Sequence, residues 1–412
     1  MNKLQIFLLV LLMISNAVLS QTSESYVKMA NTAYATGNKD KAKELYATAA
    51  DMNNPDAHYA LAYKYVVTDE ERIFHYSEAA KMGHQEAVGA MFEALLFRAN
   101  SLTLANPERA LEIYNQAKAQ NPSIAIFNEK GYVSTVKKCV EAGPFDAKKF
   151  IEQYNIKDSE LNGPYSIWEL AEEASRNGRF GKPNTKLVLQ LVSRGSFVPA
   201  ELEFAVDSIY KNWKTNKPFL FNICDYVSSG SGLSYCSAKA EKLAKKEYSI
   251  RIEKLTAILQ HNAGDLLLPT FTVTEKFIEE KAWKEELHGG SGYAAWTRWS
   301  IMEQKNDYLD LVEKINKGIQ PDSLFNHKDA DRKLNETYKR VIIRLKKKPI
   351  TDFNAAVDAD GLRSVQRLWI KYRDTSAILF HQIAPSISEA VWKNWLTAIR
   401  TKEINQIGTF QE

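Results

Sequence analysis

Residues 362–374 read Leu-Arg-Ser-Val-Gln-Arg-Leu-Trp-Ile-Lys-Tyr-Arg-Asp, the most distinctive stretch of the chain. Gln366, Trp369 and Arg373 stand at positions i, i+3 and i+7, which places them on one face of a predicted helix. A tryptophan flanked by glutamine and arginine is typical of an anchor at a protein interface. It is also typical of a core tryptophan with a polar rim. Trp283 recurs in the corresponding position of an earlier segment, and this recurrence favours the core interpretation.

The sequence pattern around this stretch occurs twice between residues 223 and 412. Each copy opens with an amphipathic helix, and the paired apolar positions lie ninety residues apart: Tyr248 and Tyr338, Ile252 and Ile342, Leu255 and Leu345. A second helix carries Trp283 or Trp369. A third begins with a Trp-x-x-Trp motif, formed by Trp296 and Trp299 or by Trp392 and Trp395. The repetition predicts two helical units, residues 223–320 and 321–412, each with three or four helices and aromatic packing.

The second copy resembles the LprI-like lysozyme-inhibitor family, and the first copy resembles it more weakly. The residues that carry the resemblance are Ala330–Asp331, Leu334–Asn335, Tyr338, Leu345, Leu362–Arg363, Gln366, Trp369, Tyr372, Arg373 and Asp374. The resemblance implies a small helical domain that binds a protein, with lysozyme as the family's named target. The sequence departs from the family at Thr375, Ser376 and Ala377, where a cysteine is usual, and at Lys284, Glu285 and Glu286 in the first copy.

Charge differs between the two copies, being −1 over residues 223–320 and +5 over 321–412. Basic side chains crowd residues 339–348, where they complement a helix dipole or attract an acidic partner or a phospholipid surface. Because the common animal lysozyme is strongly basic, like charges oppose its docking on the second copy. We therefore expect weak or absent lysozyme inhibition. Any inhibition is expected from an acidic face of the first copy, formed by Glu279, Glu280, Glu285 and Glu286.

Glu285 and Glu286 are also adjacent carboxylates, a pairing that invites comparison with glycosidases. Adjacent helix residues point about 100° apart, so the two carboxylates cannot flank one glycosidic bond. A solvated face is the expected setting for both. The sequence contains no His-Glu-x-x-His, Gly-x-Ser-x-Gly or Walker pattern, and its seven histidines form no close pair of metal-ligand type. No catalytic, cofactor or metal site is predicted.

Residues 21–120 contain a shorter repeat. Three pairs of residues lie thirty apart: Tyr46 and Tyr76, Ala50 and Ala80, Ala57 and Ala87. A period of this length is typical of stacked helical hairpins, in which paired alanines let helices approach closely. Gly37 and Gly83 are predicted to end helices in the left-handed conformation. The segment resembles the Sel-one-like repeat, a relative of the tetratricopeptide repeat, through Tyr46, Ala49–Ala50, Asp56–Ala57 and Leu61. The resemblance implies a concave protein-binding face; a packing spacer is the alternative.

Residues 121–222 are predicted to continue the helical stack. Helices are expected around Trp168 and from Pro199 towards Trp213. Arg176, Arg179 and Arg194 stand near glycines in predicted loops. Solvated loop charges are the favoured interpretation, and an anion site is the alternative.

Residues 1–20 are typical of a secretory signal peptide. Lys3 precedes an unbroken apolar run over residues 6–14, and Val18 and Ser20 are small enough for a cleavage site before Gln21. The run is too short to span a bilayer comfortably, although an uncleaved anchor is an alternative. No other segment is apolar enough to cross a membrane. The pattern predicts export to a bacterial periplasm or the cell exterior.

Composition and cysteine use agree with such a protein. Gly and Pro together number 30 of 412 residues, well below the average share, and the net charge is +4, which favours helices and argues against nucleic-acid binding. Cys224 and Cys236 flank a Ser/Gly-rich loop and are predicted to form a disulfide. Cys139 is expected to be buried and reduced.

Together these patterns predict an all-α, exported, non-enzymatic protein-interaction factor. It comprises a short helical-hairpin solenoid, a helical middle region and tandem small bundles. The partner is expected to be a protein, either lysozyme-like or another envelope protein. A cell-wall enzyme with an unrecognised site and a purely structural envelope scaffold remain the alternatives.

Overall fold

The computed structural model is 75% helical and confirms the all-α prediction. It describes residues 22–407 apart from 66–67, 98–100, 164, 196–197, 218, 261, 321–328 and 353–354. The predicted signal peptide lies outside these residues. The chain divides between Tyr226 and Val227 into two compact units. Among the described helices, none has both the length and the apolar character that crossing a membrane requires.

The described part of the first unit begins with five short helices, each packed on the next. They are α1 (Ser23–Ala35), α2 (Lys39–Asp51), α3 (Pro55–Lys64), α4 (Asp69–Lys81) and α5 (Gln85–Phe92). Ala42, Ala49, Ala57, Ala79 and Ala87 are fully buried, as expected of small side chains between packed helices. Gly37 and Gly83 have φ values of 85° and 83°, as the sequence predicts for residues that end helices. This is a helical repeat-like array. Its closer assignment to Sel-one-like repeats stays a prediction.

The remainder of the first unit is also helical. A π-helical turn (Glu93–Phe97) is followed by α6 (Pro107–Gln120), α7 (Glu129–Glu141), α8 (Ala147–Tyr154), α9 (Ser166–Ala174), α10 (Thr185–Val192) and α11 (Pro199–Lys214), with 3-10 turns at Asp158–Glu160 and Ile223–Asp225. Trp168 is fully buried and its indole nitrogen donates to the Val192 carbonyl at 3.0 Å. Arg179 pairs with Glu160 and Glu173. Arg194 is buried beside Glu108. Arg176 and Arg179 are exposed, as expected of loop charges, whereas Arg194 is buried and is not a solvated loop charge.

The described residues of the second unit form two sets of three helices in the same order. The first set is α12 (Gly230–Ile258), α13 (Ala263–Lys284) and α14 (Tyr293–Asn316). The second set is α15 (Ala330–Lys347), α16 (Ala359–Ile383) and α17 (Glu389–Ile407). A short antiparallel hairpin, β1 (Ile350–Asp352) and β2 (Ala355–Val357), joins α15 to α16 and pairs Ile350 with Val357. The residues that recur in the sequence lie on corresponding helices of the two sets. The repeat in the sequence therefore corresponds to a repeated order of helices.

The two sets share their cores instead of each enclosing one. Helices α13 and α16 pack along each other in the middle of the unit. The N-terminal half of α13 and the C-terminal half of α16 contribute to one core, with Tyr248, Leu255, Leu267, Phe271, Phe380, Trp392 and Trp395 among its members. The opposite halves contribute to the other, with Phe277, Ile301, Leu345, Leu362, Val365 and Trp369. Each set therefore completes the core of its counterpart, an arrangement that differs from two self-contained units at 223–320 and 321–412.

The cysteines behave as the sequence predicts. Cys224 and Cys236 are disulfide-bonded. Cys139 is a buried free thiol. Burial raises its pKa to about 12, which keeps it protonated and unreactive at neutral pH.

Candidate protein-binding surface

Of the predicted site residues on α16, Trp369 is buried, and Gln366 and Arg373 are partly buried. Trp369 is only 2% exposed and lies in the second core. The Arg373 guanidinium lies 5.0 Å from the centre of the Trp369 ring and is bonded to Asp374 at 2.9 Å. Gln366 Oε1 accepts a hydrogen bond from Arg400 Nε at 3.1 Å. The structure therefore places Trp369 in the core, and Gln366 and Arg373 provide polar contacts around it.

Glu285 does not lie on the solvated face that the sequence predicts for it. Its two carboxylate oxygens accept from Arg400 Nη2 at 2.5 Å and from Arg400 Nη1 at 2.7 Å. Neither side chain is more than 2% exposed. Such a bidentate pair uses the fixed fork of the guanidinium and both oxygens of the acid. Glu285 therefore holds α13 to α17 and is enclosed where no partner can reach it.

Glu286 lies one residue further along and is partly exposed. Its carboxylate accepts from Ser300 Oγ at 2.5 Å and from Gln304 Nε2 at 2.9 Å, both on α14. His288 Nε2 lies 3.1 Å away on the other side. Glu286 therefore fastens the loop after α13 to the side of α14, and only part of its charge faces solvent.

Lys281 and Glu403 extend the contacts of Arg400 from the interior towards the surface. Lys281 Nζ donates to Gln304 at 3.0 Å and to Glu403 at 2.8 Å, and Arg400 Nη1 donates to Glu403 at 3.2 Å. Burial disfavours the charge on Glu403, but Lys281 and Arg400 together lower its pKa. Burial raises the pKa of Glu285, although Arg400 opposes the shift. The network links both halves of the unit through paired charges.

Four aromatic residues form a surface where α13 ends and α14 begins. We call Trp283, Tyr293, Trp296 and Trp299 the tryptophan surface. Trp283 is 43% exposed and Trp296 is 48% exposed, while Trp299 is half-buried. The rings of Trp296 and Trp299 meet edge to face at 4.9 Å, and those of Trp283 and Tyr293 at 6.0 Å. The rings therefore support one another while leaving apolar area open to water.

The counterparts of these tryptophans in the second half are buried. Trp369, Trp392 and Trp395 are exposed by only 2%, 0% and 7%. The recurrence of tryptophan predicts a core position for Trp283 as well as for Trp369, and for Trp283 this is wrong. Exposed aromatic residues are enriched where proteins contact partners, because they bury much area at little entropic cost. The tryptophan surface is therefore the best-supported interaction site among the described residues of this unit.

The loop between α13 and α14 is tightly packed and fixes this surface. A Cβ added at Gly289 would collide with the Asp352 carboxylate of the hairpin, and one added at Gly230 would collide with the Ser291 carbonyl. Gly290 has a φ of 81°, in the left-handed region that favours glycine. These close approaches hold Trp283 and Trp296 on a defined framework. No group of three or more His, Cys, Asp or Glu side chains that could hold a metal occurs among the described residues.

Comparison with known protein families gives a match for one part of the chain. Residues 325–406 match the family described as Lysozyme inhibitor LprI. In the structure this segment contains α15, the hairpin, α16 and most of α17. The match supports the resemblance of the second half, and it does not extend to the tryptophan surface of the first. No curated protein and no solved structure matches the chain.

Proposed function

We propose that this chain is an exported, non-enzymatic factor of the bacterial envelope that binds a lysozyme-type protein through the tryptophan surface. The match of residues 325–406 to a lysozyme-inhibitor family supports the class of partner. The apolar run at residues 6–14 supports export. The single observation that carries the position of the contact is the exposure of Trp283 and Trp296, whose counterparts are buried.

Charge shapes the expected strength of binding. Residues 321–412 carry +5 and residues 223–320 carry −1. A strongly basic lysozyme is repelled by residues 321–412 and tolerated by residues 223–320. The partner therefore docks on the first half, and its affinity for this chain is modest.

The test is inhibition of lysozyme turnover on cell-wall substrate by the chain from Gln21 onward. We expect weak inhibition, and we expect Trp296→Ala to weaken it at least tenfold because the variant removes the centre of the contact. Leu268→Ala is the matched control, since Leu268 is an exposed apolar residue on α13 outside the tryptophan surface. It should leave inhibition unchanged.

Two results would contradict the proposal. Absence of any binding would remove lysozyme as the target. Potent inhibition that survives both Trp283→Ala and Trp296→Ala would place the contact elsewhere and show that the electrostatic argument fails. Both variants alter exposed side chains, so their helical circular dichroism should match that of the unchanged chain.

A further inference from the structure

The C-terminal half of α15 carries basic side chains and no acidic ones. Six of the ten residues from 339 to 348 are lysine or arginine. Arg340 donates a hydrogen bond to the Asn405 amide oxygen on α17 at 2.7 Å. None of the six basic side chains forms an ion pair with a carboxylate that the structure describes. Positive charge therefore accumulates at this end of α15.

Ile343 lies in the middle of these charges and is 58% exposed. Residues three and four positions apart are neighbours on a helix surface. Lys339 and Arg340 precede Ile343 by four and three residues, and Lys346 and Lys347 follow it by three and four. All four basic side chains are exposed, so they surround one exposed apolar side chain. We call these five residues the basic face.

The helix dipole accounts for only part of the basic face. Basic side chains in the last turn of a helix are stabilised by the partial negative charge of its free carbonyl groups. This explains Lys346 and Lys347, which lie at the end of α15. The effect falls off within one turn, whereas Lys339 and Arg340 lie about two turns before the end. The dipole also gives no reason for an exposed isoleucine among the charges.

Positive charge continues from the basic face onto α16. Tyr338 directly precedes Lys339 and is half-buried. Burial raises the pKa of the Tyr338 hydroxyl, and the positive charges of Arg363 and Arg367 on α16 oppose this rise. Arg363 is paired with Asp360, and Arg367 is exposed. Arg367 therefore adds a further exposed cation near this edge of α15.

The composition of the basic face favours a membrane surface over a protein or a soluble polyanion. Lysine is depleted and aromatic residues are enriched at protein interfaces, but the basic face has three lysines and no aromatic residue. A soluble polyanion contacts the charges and leaves the isoleucine in water. At a phospholipid surface, flexible lysine side chains reach the phosphate groups while their apolar stems and a neighbouring isoleucine enter the boundary of the acyl chains. A membrane surface therefore accounts for both the charges and Ile343.

We propose that the basic face docks on an anionic phospholipid surface, with its four basic side chains at the phosphate groups and Ile343 inserted between them. The contact is peripheral and reversible, because it rests on one apolar side chain and on charges that salt screens. The basic face lies on α15, and the tryptophan surface lies where α13 ends and α14 begins. The proposal is therefore independent of the proposed lysozyme contact.

The test is co-sedimentation with lipid vesicles at low salt. It uses the chain from Gln21 onward, so that the apolar run at residues 6–14 cannot itself bind lipid. The anionic vesicles contain two parts of phosphatidylcholine to one part of phosphatidylglycerol, and the neutral vesicles contain phosphatidylcholine alone. We expect binding to the neutral vesicles to be weaker by at least about tenfold, and we expect added salt to weaken binding to the anionic vesicles.

The charges are tested with paired lysine variants. Lys346→Gln with Lys347→Gln should weaken binding to the anionic vesicles by at least about tenfold, since each lysine near such a surface strengthens binding by about fivefold. Lys148→Gln with Lys149→Gln is the matched control, because it removes the same charge from two adjacent exposed lysines on α8. It should weaken binding by less than about twofold.

The apolar contact is tested without changing any charge. Ile343→Ala should weaken binding to the anionic vesicles by at least about threefold, because it removes the group that enters the acyl-chain boundary. Ile250→Ala is the matched control, since Ile250 is 53% exposed on α12, and it should leave binding unchanged. Each variant alters exposed helical side chains, so its helical circular dichroism should match that of the unchanged chain.

Three outcomes would overturn the proposal. Equal binding to neutral and anionic vesicles would remove the charge attraction, and equal losses in the two paired lysine variants would place the contact elsewhere. Equal binding by Ile343→Ala and Ile250→Ala would show that α15 attracts polyanions through charge alone. Trp296→Ala should bind the vesicles as the unchanged chain does. A failure here is therefore distinguishable from a failure of the proposed lysozyme contact.

Discussion

Glu285 and Glu286 are neighbours in sequence with opposite surroundings. Glu285 is enclosed with Arg400, and Glu286 is partly exposed beside His288. Local spacing gives no means of distinguishing them, because the partner that buries Glu285 lies 115 residues away. Predicting the pair would require knowing that α17 packs beside the end of α13. The sequence draws attention to both carboxylates but does not show which of them the fold encloses.

Removing one charge of this buried pair should destabilise the protein strongly. Glu285→Gln leaves the Arg400 guanidinium without its bidentate partner, and we expect the free energy of unfolding to fall by about 3 kcal/mol. Urea unfolding followed by circular dichroism measures the change. Glu303→Gln, at an exposed position on α14, should cost less than about 0.5 kcal/mol. The double variant Glu285→Leu with Arg400→Met should cost less than Glu285→Gln alone, and an additive loss would contradict this account.

At the scale of elements, periodicity predicts the helices well and their ends less well. The helix expected to open at Cys236 begins at Gly230, and the hairpin Ile350–Val357 follows no periodic signal in the sequence. Amphipathic stripes reveal that a helix has an apolar face. They do not reveal which neighbour covers that face, which is why Trp296 and Trp392 look alike in sequence and differ in the structure.

Helix α13 contains an internal proline whose replacement should be stabilising. Pro269 is exposed in the second turn and removes the N–H that would bond to the Asp265 carbonyl. A proline in a helix interior lowers the free energy of unfolding by about 3 kcal/mol. Its restriction of the unfolded chain offsets about 1 kcal/mol of this loss. We therefore expect Pro269→Ala to raise the free energy of unfolding by about 1–2 kcal/mol, measured by urea titration, with Thr272→Ala as control. A loss of stability would show that the core is fitted to a bend at Pro269.

At the scale of the whole molecule, the shared cores determine what can fold alone. Trp392 and Trp395 pack with Tyr248 and Leu255, so each half supplies the aromatic residues that close the core of the other. The repetition in the sequence indicates two copies of one pattern. It does not reveal that the copies interlock, because equivalent apolar stripes could pack within a copy or between copies.

Each half of the second unit should therefore fail to fold when it is expressed alone, although the two halves fold together. We expect residues 223–412, which keep the Cys224–Cys236 disulfide, to unfold cooperatively. Residues 223–320 and 321–412, each expressed alone, should show no cooperative transition by circular dichroism. Mixing the two fragments should restore the helical signal, because both cores then become complete. A cooperative transition in either fragment alone would show that one half encloses a core of its own.

The two halves repeat one order of helices and complete each other's cores, as the two subunits of a symmetric dimer can do. A true homodimer must show every surface twice, so a residue that improves stability in one place appears in both. A single chain that carries both copies is free of that constraint. One copy of the Trp-x-x-Trp motif can then lie in the core, as Trp392 and Trp395 do, while Trp296 of the other copy is exposed to solvent. In this chain one repeated pattern therefore supplies buried tryptophans in one copy and exposed tryptophans in the other.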